Sequence, residues 1–131
     1  MKHEEMQYIS HRLARAGETL DEARLLFNGG FTSGVVNRMY YACFYAVTAL
    51  LFSEGYSSSK HSGVISLFDR LWIKPKRLSS DMGVFYHKMF EYRQKGDYED
   101  LFSFQPEDVE AWLSKATEFV DTVCKHLEES K

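Results

Sequence analysis

The sequence predicts an all-α fold: an antiparallel, up-and-down bundle of four to five helices. Three observations carry this. Apolar residues recur at three- and four-residue spacing over long stretches, the period of one helix face. No stretch alternates apolar and polar residues as a half-buried strand does. Only two prolines, Pro75 and Pro106, occur in 131 residues, so long helices run unbroken. That length suits one domain, 1–131, around one core.

The first helix is expected over about 4–28. Met6, Ile9, Leu13, Ala16, Leu20, Ala23 and Phe27 form one stripe, and Asn28-Gly29-Gly30 stops it. The second is expected over about 33–54, ending at Gly55. It carries two apolar stripes, Val36-Tyr40-Cys43-Val47-Leu50 and Val35-Met39-Phe44-Leu51. A helix apolar on most of its circumference is central to a bundle or lies in a subunit interface. The third is short, about 60–73, with the Ser57–Ser59 run as its cap. Val64, Ile65, Phe68, Leu71 and Trp72 face inward, and Pro75 closes it. The fourth covers about 80–95, with Ser79 or Ser80 as cap and Gly96 as its end. Met82, Phe85, Tyr86, Met89 and Phe90 form its core face, and residues 96–104 read as a loop. The fifth covers about 106–128. Pro106 takes the first helical position, and Glu107 and Asp108 suit the positive helix start. Short connections between long helices favour antiparallel neighbours.

Composition narrows the function classes. The formal charge is −3, unevenly spread. Residues 60–95 hold eight Lys/Arg against three Asp/Glu, and residues 97–131 hold three against ten. The middle is therefore a candidate anion-facing surface, unless the two segments neutralise each other across the bundle. Cys43 and Cys124 lie in apolar helical patterns without a CxxC partner. They read as free thiols in a reducing cytoplasm, the expected location. The polar, acidic start, Met1 to Glu5, predicts no signal peptide. The longest mostly apolar run, Tyr40 to Phe52, is shorter than the roughly 18 residues of a membrane helix, so no membrane association is expected.

No metal or cofactor is expected. The five histidines, His3, His11, His61, His87 and His126, show no ligand spacing, and no HExxH occurs. His87 and Glu91 are four apart on one helix, the spacing of a shared ligand or, more often, of a plain surface hydrogen bond. A GxSxG turn is also missing.

Three polar clusters remain. Asn37-Arg38-Met39-Tyr40-Tyr41-Ala42 sets an amide, a guanidinium and two phenols beside an apolar helix. Asn37 and Tyr41, four apart, share a face. Asn is a poor helix-interior residue and needs a hydrogen-bonding reason to be there. That reason is either a neighbouring helix or a ligand. Ser59-Lys60-His61-Ser62-Gly63-Val64 gathers free backbone N–H groups, Lys60, His61 and hydroxyls at a positive helix end. This suits an anion, and ordinary capping explains it equally. Tyr92-Arg93-Gln94-Lys95-Gly96-Asp97-Tyr98 places Arg93 in a last helical turn, with Asp97 as a charge-assisted partner.

Together these segments resemble the HEPN family, the domain named for higher eukaryotes and prokaryotes and nucleotide binding. The resemblance runs through Val36 to Phe44, Lys60 to Ile65 and Phe90 to Tyr98, in order, and covers nearly the whole chain. It implies a four- or five-helix bundle that forms a two-fold dimer. It also implies RNA or nucleotide as ligand. Many members are metal-independent endoribonucleases of toxin–antitoxin pairs, and others partner minimal nucleotidyltransferases. The nuclease members place an Arg, four to six residues, then a His at a helix end, supported by a polar residue from an earlier helix. Arg93 and Asn37 match; the His does not, since Tyr98 follows Asp97 and the next histidine is His126. Metal-free RNA cleavage needs a base, an acid and a cation. Arg93 supplies the cation. Tyr98, a phenol with an ordinary pKa of about 10, is a poor base. His61 substitutes only if the fold brings it to Arg93. The resemblance gives Arg93 the catalytic cation and Asn37 its polar support; with the three clusters, His61 is the substitute catalytic candidate, and Asn37, Arg38, Tyr41, Lys60, Asp97 and Tyr98 are the binding candidates. The alternative is a non-catalytic module docking a nucleotidyltransferase or another protein.

Overall fold

A computed structural model describes residues 2–98 and 103–129. Among them are α1 (His3–Asn28), α2 (Thr32–Phe52), α3 (His61–Phe68) with a π-helical continuation Asp69–Ile73, α4 (Ser80–Tyr98) and α5 (Pro106–Glu129). No strand occurs among the described residues.

Side-chain pairs give the directions of packing. Tyr8 meets Phe52, Arg12 and Arg15 meet Tyr45, and Glu22 meets Arg38, so α1 and α2 run antiparallel. Tyr40 meets Tyr86 and Phe90, Tyr41 meets Arg93, and Asn37 meets Asp97, so α2 and α4 do too. Tyr92–Trp112 and Phe85–Phe119 give the same result for α4 and α5. Helix α2 touches α1, α3, α4 and α5 and is the centre of the bundle. Val35, Met39, Tyr40, Val47, Leu50 and Leu51 are fully buried on it. Among the described residues α2 alone resembles a membrane span by length and composition; here its apolar surface is the core. Cys43 lies in that core, Cys124 is half-buried, and both are free.

Three expectations need correction. The third helix begins at His61, with Lys60 at the cap position and no side-chain cap. The Ser57–Ser59 run therefore does not cap it. Ser58 Oγ instead accepts from the Lys60 N–H in the loop. A Cβ on Gly63 would lie 2.1 Å from that Oγ, so the serine turn needs a glycine there. The same helix does not stay regular to residue 73: the Lys74 N–H reaches back five residues to the Asp69 carbonyl. Finally, α4 runs through Gly96 to Tyr98. A Cβ on Gly96 would sit 3.0 Å from the Phe104 ring. The glycine admits that ring and does not stop the helix. Of the loop expected over 96–104, residues 96–98 are helical, 99–102 lie outside the described residues, and 103–104 follow without helix.

Candidate nucleotide-facing site

Because α4 continues past Gly96, Arg93 and Asp97 stand one turn apart on one helix face. Asn37 and Tyr41 stand one turn apart on α2. The two pairs face each other. Asn37 Nδ2 donates to Asp97 Oδ2 at 3.1 Å, and Arg93 Nη1 donates to the Tyr41 hydroxyl at 3.3 Å. Arg93 Nη1 lies 3.8 Å from Asp97 Oδ2, a loose ion pair. The Arg93 guanidinium is 4.8 Å from the Tyr40 ring and 5.6 Å from the Tyr41 ring, within cation–π range.

Arg93 is only 8% exposed, and its Nε–H has no hydrogen-bond partner. A buried guanidinium with a loose carboxylate and an unmatched donor is costly to fold. Asp97 is shared with Asn37, which keeps it from closing on the arginine as a bidentate partner.

The first turn of α3 meets this corner. The Tyr40 hydroxyl is 2.6 Å from His61 Nδ1, and the His61 ring packs 4.6 Å from Phe44. Burial, and then the Arg93 charge, hold His61 below its ordinary imidazole pKa. Burial pushes the Tyr40 phenol well up. Both ring groups are therefore neutral near pH 7. Tyr40 is the residue to which the sequence pattern gave no role at the site. Its spacing marks it as core, and it is fully buried, yet its ring carries Arg93 and its hydroxyl carries His61.

The remaining candidates are placed as follows. Arg38 Nε and Nη2 donate to Asn37 Oδ1 at 3.0 and 2.7 Å, and Arg38 Nη1 to Glu22 at 3.2 Å. Arg38 thus orients Asn37 from behind. Glu22, which also accepts from Arg15 at 3.4 Å within α1, tethers the network to that helix. Lys60 and Tyr98 are exposed, the latter by 75%. His87 does not pair with Glu91: its Nε2 lies 2.5 Å from Asp69 Oδ2, on the far side of α4. No cluster of three or more metal-binding side chains occurs among the described residues.

The family model of the HEPN domain matches residues 9–127. The chain belongs to the HEPN domain family. A UPF0332 protein of Thermotoga maritima is 43% identical over 98% of this chain and 97% of its own length. The protein named "Putative toxin MJ0142" of Methanocaldococcus jannaschii is 31% identical over 88% of this chain and 78% of its own. A UPF0332 protein of Gloeobacter violaceus is 30% identical over 86% and 90%.

Proposed function

We propose that this HEPN-domain protein binds RNA or nucleotide at the Arg93 corner and serves as the RNA-directed component of a toxin–antitoxin pair. The supporting observation is one side chain. Arg93 lies over the Tyr40 ring, reaches Tyr41, and retains an unmatched Nε–H beside a loosely held carboxylate. A phosphate offers a guanidinium more acceptor oxygens than Asp97 gives it here. On this reading the ligand displaces Asp97, and Asn37, Tyr41 and His61 border the phosphate. Lys60 and Tyr98, both exposed nearby in sequence, meet the flanking nucleotides. The protein acts as a homodimer, the partly open aromatic side of α2 (Tyr41, Phe44, Tyr45) lying beside the two-fold axis. The name of the Methanocaldococcus jannaschii relative, "Putative toxin MJ0142", favours the toxin side of such a pair.

The test is fluorescence anisotropy with a labelled single-stranded RNA. Arg93→Ala is expected to weaken binding about tenfold or more, the scale of a charged hydrogen bond, with the helical circular dichroism unchanged. Equal affinity in wild type and variant overturns the site. A gel of total RNA after incubation separates cleavage from binding.

A second reading is favoured by the depth of Arg93. Held by Asp97 in its own helix and backed by Asn37, it serves there as a clasp between α2 and α4. The chain is then a non-catalytic module that docks a minimal nucleotidyltransferase or another protein. Wild-type protein that binds no RNA selects this reading.

A further inference from the structure

We propose that Tyr40 is a positioning residue that fixes His61 in the tautomer with its hydrogen on Nε2, so that the open edge of the ring presents a hydrogen-bond donor and not a base.

The argument is one of counting donors and acceptors. His61 Nδ1 and the Tyr40 hydroxyl share one 2.6 Å hydrogen bond, and its direction decides the tautomer. Tyr40 is fully buried, so its hydrogen must find an acceptor inside the protein. Behind it lies Tyr86, also fully buried, with its ring 6.0 Å away and nearly parallel. The Tyr86 hydroxyl makes no well-formed hydrogen bond, and the polar group that bears on it is the Tyr40 hydroxyl. If Tyr40 donates to Nδ1, its own hydrogen is matched and the pair strands no buried hydrogen. If Nδ1–H donates to Tyr40, the Tyr40 hydrogen has only the Tyr86 oxygen left, and the core holds a phenol hydrogen with nowhere to go. The first direction leaves fewer buried donors unmatched. It requires a bare Nδ1 and a protonated Nε2. That second nitrogen has no hydrogen bond among the described residues, and the ring is half-buried.

The surroundings keep the ring neutral. Burial and the neighbouring Arg93 both disfavour the imidazolium. A neutral imidazole donates a hydrogen bond from Nε2 but does not readily surrender that hydrogen. His61 is therefore suited to holding an oxygen and stabilising its charge, as backbone N–H groups do in an oxyanion site, and unsuited to deprotonating a 2′-hydroxyl. The identity of that oxygen as phosphate rests on the proposed function; the tautomer does not. With Arg93 as cation and His61 as donor, the corner holds two groups for an anion, and its one carboxylate, Asp97, is engaged by Asn37 and Arg93. Binding without rapid turnover follows.

The test is long-range proton–nitrogen NMR of the full chain labelled with 15N-histidine, at pH 7.5. His61 is expected almost wholly as the Nε2–H form, by about ten to one or more, the ratio an unmatched buried donor imposes. In Tyr40→Phe, which keeps the ring under Arg93, both tautomers should appear. In Tyr86→Phe the wild-type ratio should persist, because the preferred direction does not need Tyr86 as acceptor. This variant keeps the question open to experiment if Tyr40→Phe fails to fold. A dominant Nδ1–H form in wild type overturns the proposal, as does an unchanged ratio in Tyr40→Phe or a lost ratio in Tyr86→Phe. Inorganic phosphate is then added to wild type. A shift of the His61 Nε2 resonance supports phosphate as the acceptor. The expected tautomer without such a shift upholds the role of Tyr40 and overturns the phosphate reading.

Discussion

His61 and His87 make the same kind of bond in opposite settings. His87 is exposed and lies 2.5 Å from the Asp69 carboxylate. His61 is half-buried and lies 2.6 Å from the Tyr40 phenol. A carboxylate only accepts, so Asp69 alone determines that His87 Nε2 carries the hydrogen. A phenol both donates and accepts, so Tyr40 dictates to His61 through what stands behind it. The exposed pair is a local fact of two side chains. The buried pair belongs to a stack that runs from Tyr86 through Tyr40 to Arg93.

That contrast is sharpest where the packing differs. Phe44→Ala removes the ring against which His61 lies and that also meets Tyr40, Tyr41 and Tyr45. Because Phe44 is only partly buried, a loss of about 2 kcal/mol is expected, less than a fully buried Phe→Ala costs; urea unfolding measures it. A loss within error would mean that the His61 corner is no better packed than the His87 surface.

A smaller effect comes from pH. The folded pKa of His61 lies below its unfolded value of about 6.5. Below that unfolded value the denatured chain takes up a proton that the native state resists. Stability should therefore be full above about pH 6.5 and fall as pH drops through the depressed folded value. The slope should flatten in His61→Gln, and an identical slope in that variant removes His61 as its source. The least effect is expected from Asp69→Asn. Both side chains of that pair are well exposed, and exposed pairs of this kind contribute about 0.5 kcal/mol or less. A loss above 2 kcal/mol would erase the distinction between the two histidines.

Much of this architecture is legible in the sequence, and the failures are instructive. The stripes of α1, α2 and α5 give those helices to within a residue or two, because long periodic patterns with clear stops leave little choice. Gly96 misleads. A glycine signals a helix end when nothing else explains it, and here the explanation is the Phe104 ring, distant until the chain folds. The candidate site is half legible. Asn37 with Tyr41, and Arg93 with Asp97, stand out as polar residues one turn apart on apolar helices. That His61 joins them through Tyr40 depends on which helices become neighbours, and no local pattern encodes that. Tyr40 itself keeps perfect core spacing, so its second duty is invisible until its hydroxyl finds a partner.

The five-residue reach from Lys74 back to Asp69 has a consequence for how this chain tolerates change. A π turn fits one more residue into a helical run than regular α geometry would, and each residue turns the following side chains by about 100°. Trp72 lies within that turn, fully buried, with its indole N–H 3.3 Å from His126 and the Arg77 guanidinium over its ring. Removing a single residue between 69 and 73 would leave the segment's composition almost untouched. With the extra residue gone the run can return to regular α geometry while the helix on either side keeps its register, so a deletion at this turn is absorbed more readily than one elsewhere in the bundle, provided Trp72 itself is kept.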